Sequence, residues 1–251
     1  MILGILQARA GSSRLPGKVL KSLLGEPMLA RQIERLRRAT GLDQLMVATS
    51  VQADDEAIAL LCERLGVPCF RGPLDDVLQR FYLAAQPFAP AHVVRLTGDC
   101  PLADPELIDE LIHFHLAGGY DYSCNCWDPS YPDGLDAEIL SAGTLNLLAE
   151  QAHSQVQREH VTYYIRQHET QFNIGKLARQ PSLSHLRWTV DEPADFELVE
   201  QIYKKIYPTK PVFTTNDILS LLAREPDLAI LNIQHQRNEG LARSLAKEKH
   251  S

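Results

Sequence analysis

Twelve residues, Gln7 to Lys18 (QARAGSSRLPGK), gather two arginines, a lysine, two serines and two glycines directly after an apolar run. Gly11 with the amides of Ser12 and Ser13 can converge on an anion, because small residues let backbone N–H groups approach it. Arg9, Arg14 and Lys18 add charge-assisted contacts of the kind phosphate oxygens accept. The segment reads as a phosphate-binding loop, with a basic surface turn as the alternative. It is not a Walker loop, since Val19 follows Lys18 where Ser or Thr is required, and it lacks G-x-G-x-x-G.

A second polar cluster is Arg95-Leu96-Thr97-Gly98-Asp99-Cys100-Pro101-Leu102. Gly98 permits close backbone approach, and Asp99 at the end of a hydrophobic run can hold magnesium together with phosphate oxygens. An Asx-turn or a helix cap is the competing job for such an aspartate. Asp191, which ends Arg187 to Val190 and precedes Pro193, offers the same choice between metal and cap. Magnesium takes one or two carboxylates plus phosphates, so the pair raises the metal reading for both. Asp136 and Glu138 point the same way at period two and either take sugar hydroxyls or face water. Arg158, His160 and Arg187 can receive an acceptor carboxylate or phosphate; His160, beside Val161 in a helix, also reads as a packed histidine bonded to backbone. Cys100 has no Cys-His motif around it and reads as a small hydrophobe.

The elements that must position these residues alternate. Met1 to Leu6 reads as a buried parallel strand, followed by a helix over 28–38. Strand and helix repeat as 44–49 and 54–65, then a strand over 67–70, a helix over 75–85, a strand over 92–96 and a helix from Pro105 capped by Asp104. This predicts an α/β, Rossmann-like fold with a mostly parallel central sheet and helices on both faces. In the second half, strands are expected over 120–124, 135–140, 172–177 and 187–190, with helices over 141–152 and 155–168, extending the sheet or forming a small lid or dimerisation elaboration. Two more helices follow, one from Pro193 with Phe196, Val199, Tyr203 and Ile206 facing inward, and one over 215–224. The polar stretch 237–251 is expected to fray or to lie on a partner.

Composition bounds the classes. The 251 residues carry a net charge of −7, with 45% hydrophobic and 23% charged residues, an ordinary globular balance. No apolar stretch is long enough for a membrane span, and Arg9 and Arg14 interrupt the start where a signal core would run, so no membrane association and a cytoplasmic location are expected. Five scattered cysteines read as free thiols, and no zinc pattern is present. The negative charge argues against a nucleic-acid partner.

Six ordered segments carry a resemblance. Gln7–Lys18, Val47–Ser50, Phe70–Gly72 with Asp75–Leu78, Val94–Leu102, Arg158–Thr162 and His185–Asp191 together resemble the spore-coat polysaccharide biosynthesis branch of the cytidylyltransferases, which is similar to the acylneuraminate and 3-deoxy-manno-octulosonate (KDO) cytidylyltransferases. The resemblance spans roughly residues 1–206 and leaves 207–251 as a C-terminal helical extension. It implies transfer of CMP from CTP to an acidic sugar with release of pyrophosphate. It further implies that Arg9, Ser12, Arg14 and Lys18 hold the triphosphate and that Asp99 and Asp191 bind Mg2+. Ala8, Arg71, the Thr49–Ser50 strand end and Thr97–Gly98 would lie at the nucleotide, and a homodimer is expected. Gln7 stands where sialic-acid and KDO enzymes commonly have proline. A nucleotide-sugar glycosyltransferase is the second enzyme reading, although the D-x-D spacing typical of those enzymes is missing at Asp54-Asp55, Asp75-Asp76 and Asp133/Asp136. A non-catalytic nucleotide-binding module is the third reading.

Overall fold

The computed structural model describes residues 1–235, 237, 241 and 244–246. Its strands are β1 (Ile2–Gln7), the two-residue hairpin arms β2 (Ser22–Leu23) and β3 (Glu26–Pro27), β4 (Gln44–Ser50), β5 (Cys69–Gly72), β6 (His92–Thr97), β7 (Tyr122–Cys124), β8 (Glu138–Ser141) and β9 (Ile174–Lys176). Seven of them form one sheet in the order β5-β4-β1-β6-β8-β7-β9. Pairing is parallel except around β8, which runs antiparallel to both β6 and β7. The mostly parallel α/β architecture read from the alternation is therefore the one present.

The helices are α1 (Met28–Leu36), α2 (Glu56–Leu65), α3 (Val77–Ala85), α4 (Pro105–Gly118), α5 (Ala142–Gln151), α6 (Gln155–Glu159), α7 (Tyr163–Gln167), α8 (Pro193–Ile206) and α9 (Thr215–Arg224). Strand side chains alternate between two cores, as a pleat requires. Leu3, Ile5, Met46 and Ala48 pack with α3, α5 and α7, whereas Leu6, Leu45 and Val47 pack with α1, α2, α4, α8 and α9. Chain beyond residue 206 joins the second of these cores through Phe213, Ile218, Leu221 and Leu222. The buried Arg35 guanidinium reinforces the junction, donating to the Ala103 carbonyl at 2.8 Å and the Phe213 carbonyl at 3.1 Å.

Two expected elements differ. The helix over 155–168 is two short ones, with His160 at φ −105°, ψ 75° between them. The break lets Val161 enter the core while the Thr162 hydroxyl donates to Glu138 at 2.7 Å, so tertiary contacts override local helix preference. The strand over 187–190 is absent; Arg187 makes one isolated bridge to Asp133. Its neighbours bond to loops, with the Trp188 and Thr189 N–H groups on the Asp133 carbonyl and the Val190 N–H on the Asp99 carbonyl. Of the stretch 237–251, only Arg237, Leu241 and Ser244 to Ala246 fall within the described residues.

Candidate active site

A cleft of about 500 Å³ opens at the carboxyl ends of β1 and β6, where open parallel sheets place ligands. Its first wall is the loop after β1. Asp55, buried at the start of α2, anchors that loop: one carboxylate oxygen accepts from the Ala10 N–H at 2.6 Å, and the other accepts from the Ser50 N–H at 3.1 Å and from the Ser50 hydroxyl. The loop closes with Gly17 at φ +67°, a left-handed turn that glycine adopts without penalty. Its N–H reaches back to the Ala10 carbonyl at 3.0 Å, and the next residue, Lys18, turns into the cleft.

The second wall is the Thr97–Cys100 turn. The Gly98 N–H donates to the Gln7 carbonyl at 2.8 Å, and a Cβ there would lie 2.9 Å from that of Ala8. Only glycine lets this turn sit so close to β1, and the fit brings Asp99 over Lys18. The third wall is the segment before α8. Lys18 Nζ lies 2.8 Å from Asp191 Oδ1, 2.8 Å from the Val190 carbonyl and 3.3 Å from Asp99 Oδ2. Arg14 adds a contact of 2.9 Å to Asp191 and one of 3.2 Å to Glu192. Burial works against the Lys18 ammonium, but Asp99 and Asp191 outweigh it and raise its pKa. Burial likewise pushes Asp99 up, yet Lys18 and the Thr97 hydroxyl bring it down to about 2. Both therefore stay charged near neutral pH. Burial and the Asp99 charge raise the Cys100 thiol well above its ordinary value, which fits the inert reading of that cysteine.

Arg187 holds the third wall in place. Its guanidinium bonds to Asp195 through Nε and Nη2 at 2.9 Å each, to Asp133 at 3.0 Å and more loosely to Asp191 at 3.5 Å. Asp195 is fully buried and also accepts from the Asp191 and Glu192 N–H groups. At the far end of the cleft, Arg95 and Glu138 are cross-strand partners on β6 and β8 and form an ion pair. Burial pushes Glu138 up, but Arg95 and the hydroxyls of Thr162 and Tyr122 hold it below its ordinary value. Asp136 is the opposite case: burial lifts it to about 7, with Arg237 its opposing partner.

Ala8, Arg9, Gly11, Ser12, Ser13, Arg14, Lys18, Thr97, Gly98, Asp99, Asp136, Glu138, His160, Arg187 and Asp191 all line this one cleft. Four residues expected there do not. Thr49 and Ser50 are fully buried beneath the loop, Ser50 serving Asp55. Arg71 is tied to the Ser50 and Gln52 carbonyls and to Glu56. Arg158 braces α3, bonding Asp76 at 2.6 and 2.9 Å and Gln79 at 3.1 Å, so it faces no acceptor. Arg187, although in the cleft, is committed to three carboxylates.

Sequence reasoning passed over Asp133, Arg80 and Arg95, which line the cleft too. A signal for Asp133 was Gly134, whose φ of +102° and a Cβ position 2.3 Å from the Thr189 nitrogen admit no side chain. Arg80 is 2% exposed on α3, and burial together with the Arg9 charge lowers its pKa to about 10. Its signal was a cation in an otherwise apolar helix face.

Two carboxylates and a carbonyl that already hold one cation, the Lys18 ammonium, form the hard oxygen set that suits magnesium once phosphate oxygens complete the shell. Among the described residues no three His, Cys, Asp or Glu side chains converge on a metal position, so the protein supplies only part of such a shell.

A parallel sheet with a basic loop after its first strand and paired strand-end aspartates defines a nucleotidyltransferase. A sequence model described as cytidylyltransferase matches residues 3–225, and the chain belongs to that family. The spore coat polysaccharide biosynthesis protein SpsF of Bacillus subtilis is 34% identical over 235 residues, covering 91% of this chain and 96% of its own. A solved cytidylyltransferase from Leptospira borgpetersenii superposes with a TM-score of 0.87 at 27% identity, covering 91% and 96% of the two chains. The fold is shared also with CMP:2-keto-3-deoxy-manno-octonic acid synthetase, at a TM-score of 0.63 and 17% identity over 81% and 98%. Among the described residues no helix is long and apolar enough to cross a membrane.

Proposed function

We propose that this protein transfers CMP from CTP to a hydroxyl of an acidic sugar-like acceptor, releasing pyrophosphate, in the synthesis of a surface polysaccharide or glycan. The observation that carries the reading is the Lys18 ammonium held between Asp99 and Asp191 on the cleft floor, below the loop bearing Arg9 and Arg14. Family membership supplies the choice of base, and the SpsF relative supplies the polysaccharide context.

The reaction needs an acceptor oxygen in line with departing pyrophosphate, so catalysis is positioning plus neutralisation of developing charge. Arg9, Arg14 and the amides of Gly11, Ser12 and Ser13 bind the triphosphate, and Lys18 follows the phosphates once they enter. Asp99 and Asp191 would hold Mg2+, which when bound polarises the phosphoryl oxygens and offsets their charge. Gly98 keeps the cleft floor thin enough for the nucleotide to lie against β1 and β6. The acceptor lies at the other end, where Asp136, Glu138 and His160 offer partners for its hydroxyls, and Arg95 and Arg166 offer positive charge to its acid group.

The test is a pyrophosphate-release assay with CTP, Mg2+ and a panel of acidic sugars. Release should require acceptor and metal together, and Asp99→Asn and Asp191→Asn should each remove it. No binding of CTP by calorimetry, or turnover of UDP-sugars instead, would sink the proposal.

A further inference from the structure

The chain beyond α9 returns to the cleft. Asn232, 2% exposed, donates from its amide to the Arg187 carbonyl at 3.0 Å and to Asp195 Oδ1 at 2.8 Å, fastening the segment behind the third wall. Arg237 then meets the turn that carries Asp133 and Asp136. Its Nη1 donates to the Tyr131 carbonyl at 3.1 Å, its Nη2 pairs with Asp136, and its buried Nε stands 3.9 Å from Asp133. Across the cleft, Ser244 Oγ donates to Glu159 at 3.0 Å and lies 3.0 Å from His160 Nε2, at the break between α6 and α7. Leu241 and Ser244 both line the cleft.

One segment is thus bonded to both walls of the same end. A guanidinium this enclosed is tolerated only when paired, and its planar fork reaches a carboxylate and a carbonyl together. Asp136 depends on Arg237 in return, since that cation opposes the burial that disfavours its charge. Removing either partner leaves the other buried without compensation, so the segment should lift away from the turn.

We infer that Arg237 is a positioning residue that fastens the C-terminal segment across the acceptor end of the cleft, orienting Asp136 and restricting entry there. Naming that end for the acceptor rests on the function proposed above; the closure itself does not.

Cys126 is a free thiol lining this end, and Cys62 is a free thiol fully buried in the opposite core, so together they separate local from global opening. Iodoacetamide labelling of the full chain, followed by peptide mass spectrometry, should show Cys126 reacting about tenfold faster in Arg237→Ala and in Ser244→Ala, with the Cys62 rate unchanged. Arg237→Lys should return the Cys126 rate toward that of the parent. An unchanged Cys126 rate in both variants, or a parallel rise at Cys62 in both, overturns the inference. CTP affinity measured on the same samples judges the proposed function separately: loss of CTP binding in the parent would refute that reading while the labelling contrast still decides the closure.

Discussion

Lys18 Nζ and Asp191 Oδ1 are 2.8 Å apart, and the same ammonium reaches Asp99 at 3.3 Å, so one side chain occupies the place where two carboxylates turn toward a common cation. A divalent ion and this ammonium compete for the same oxygens. Lys18→Met keeps the length of the side chain and removes the charge. Binding of Mn2+ without nucleotide, followed by electron paramagnetic resonance, should tighten about tenfold in this variant, because no competing cation has to leave. Turnover should fall about 10²-fold or more, because the lysine is lost from the leaving-group side. Unchanged Mn2+ affinity would show that Lys18 does not guard the carboxylates.

The loop after β1 hangs on Asp55. Asp55→Ala strips acceptors from the buried Ala10 and Ser50 N–H groups, at about 1–3 kcal/mol for each donor left unpaired. Thermal melting should show the loss, and CTP affinity should drop with it, since the amides at 11–13 lose their support. A melting temperature within a degree of the parent's would contradict this account.

Local chemistry explains how much of this was legible from residues alone. The loop 7–18 and the aspartates at 99 and 191 stand out because glycine, arginine and carboxylate at strand ends are costly unless used. The strand alternation is equally local, and it predicted the sheet. Pairings across the chain are not local. Arg158 has the same side chain as a ligand-binding arginine, and only the approach of Asp76, 82 residues earlier, turns it into a brace. Asp133 and Asp195 gain their roles because the folded chain brings both to Arg187, 54 and 8 residues away. The break at His160 likewise follows from Thr162 meeting Glu138.

Gly134 tests the packing between the acceptor turn and the third wall. An alanine there would adopt φ +102° and press its Cβ to 2.3 Å from the Thr189 nitrogen, which is backbone and has no easy retreat. Gly134→Ala should cost about 2–4 kcal/mol in urea denaturation, combining backbone strain with overpacking. A cost below about 0.5 kcal/mol would mean that the turn is free to shift.

A histidine pair on the far side of the sheet sets a pH limit on stability. His115, 1% exposed on α4, has Nε2 at 3.1 Å from His92 Nδ1 and Nδ1 at 2.9 Å from the Ser123 hydroxyl. Burial, and then the neighbouring His92, lower its pKa to about 4. In the unfolded chain the imidazole titrates near its ordinary value of about 6.5, so between those limits the unfolded state binds more protons than the folded one. Stability is then full above pH 6.5 and is lost as the pH falls toward 4, on the order of 2–3 kcal/mol from this group. His115→Asn removes the titrating imidazole at the cost of some packing. Denaturation midpoints measured from pH 7.5 to 4.5 should fall less steeply for the variant than for the parent. Parallel slopes would show that another group controls the acid limb.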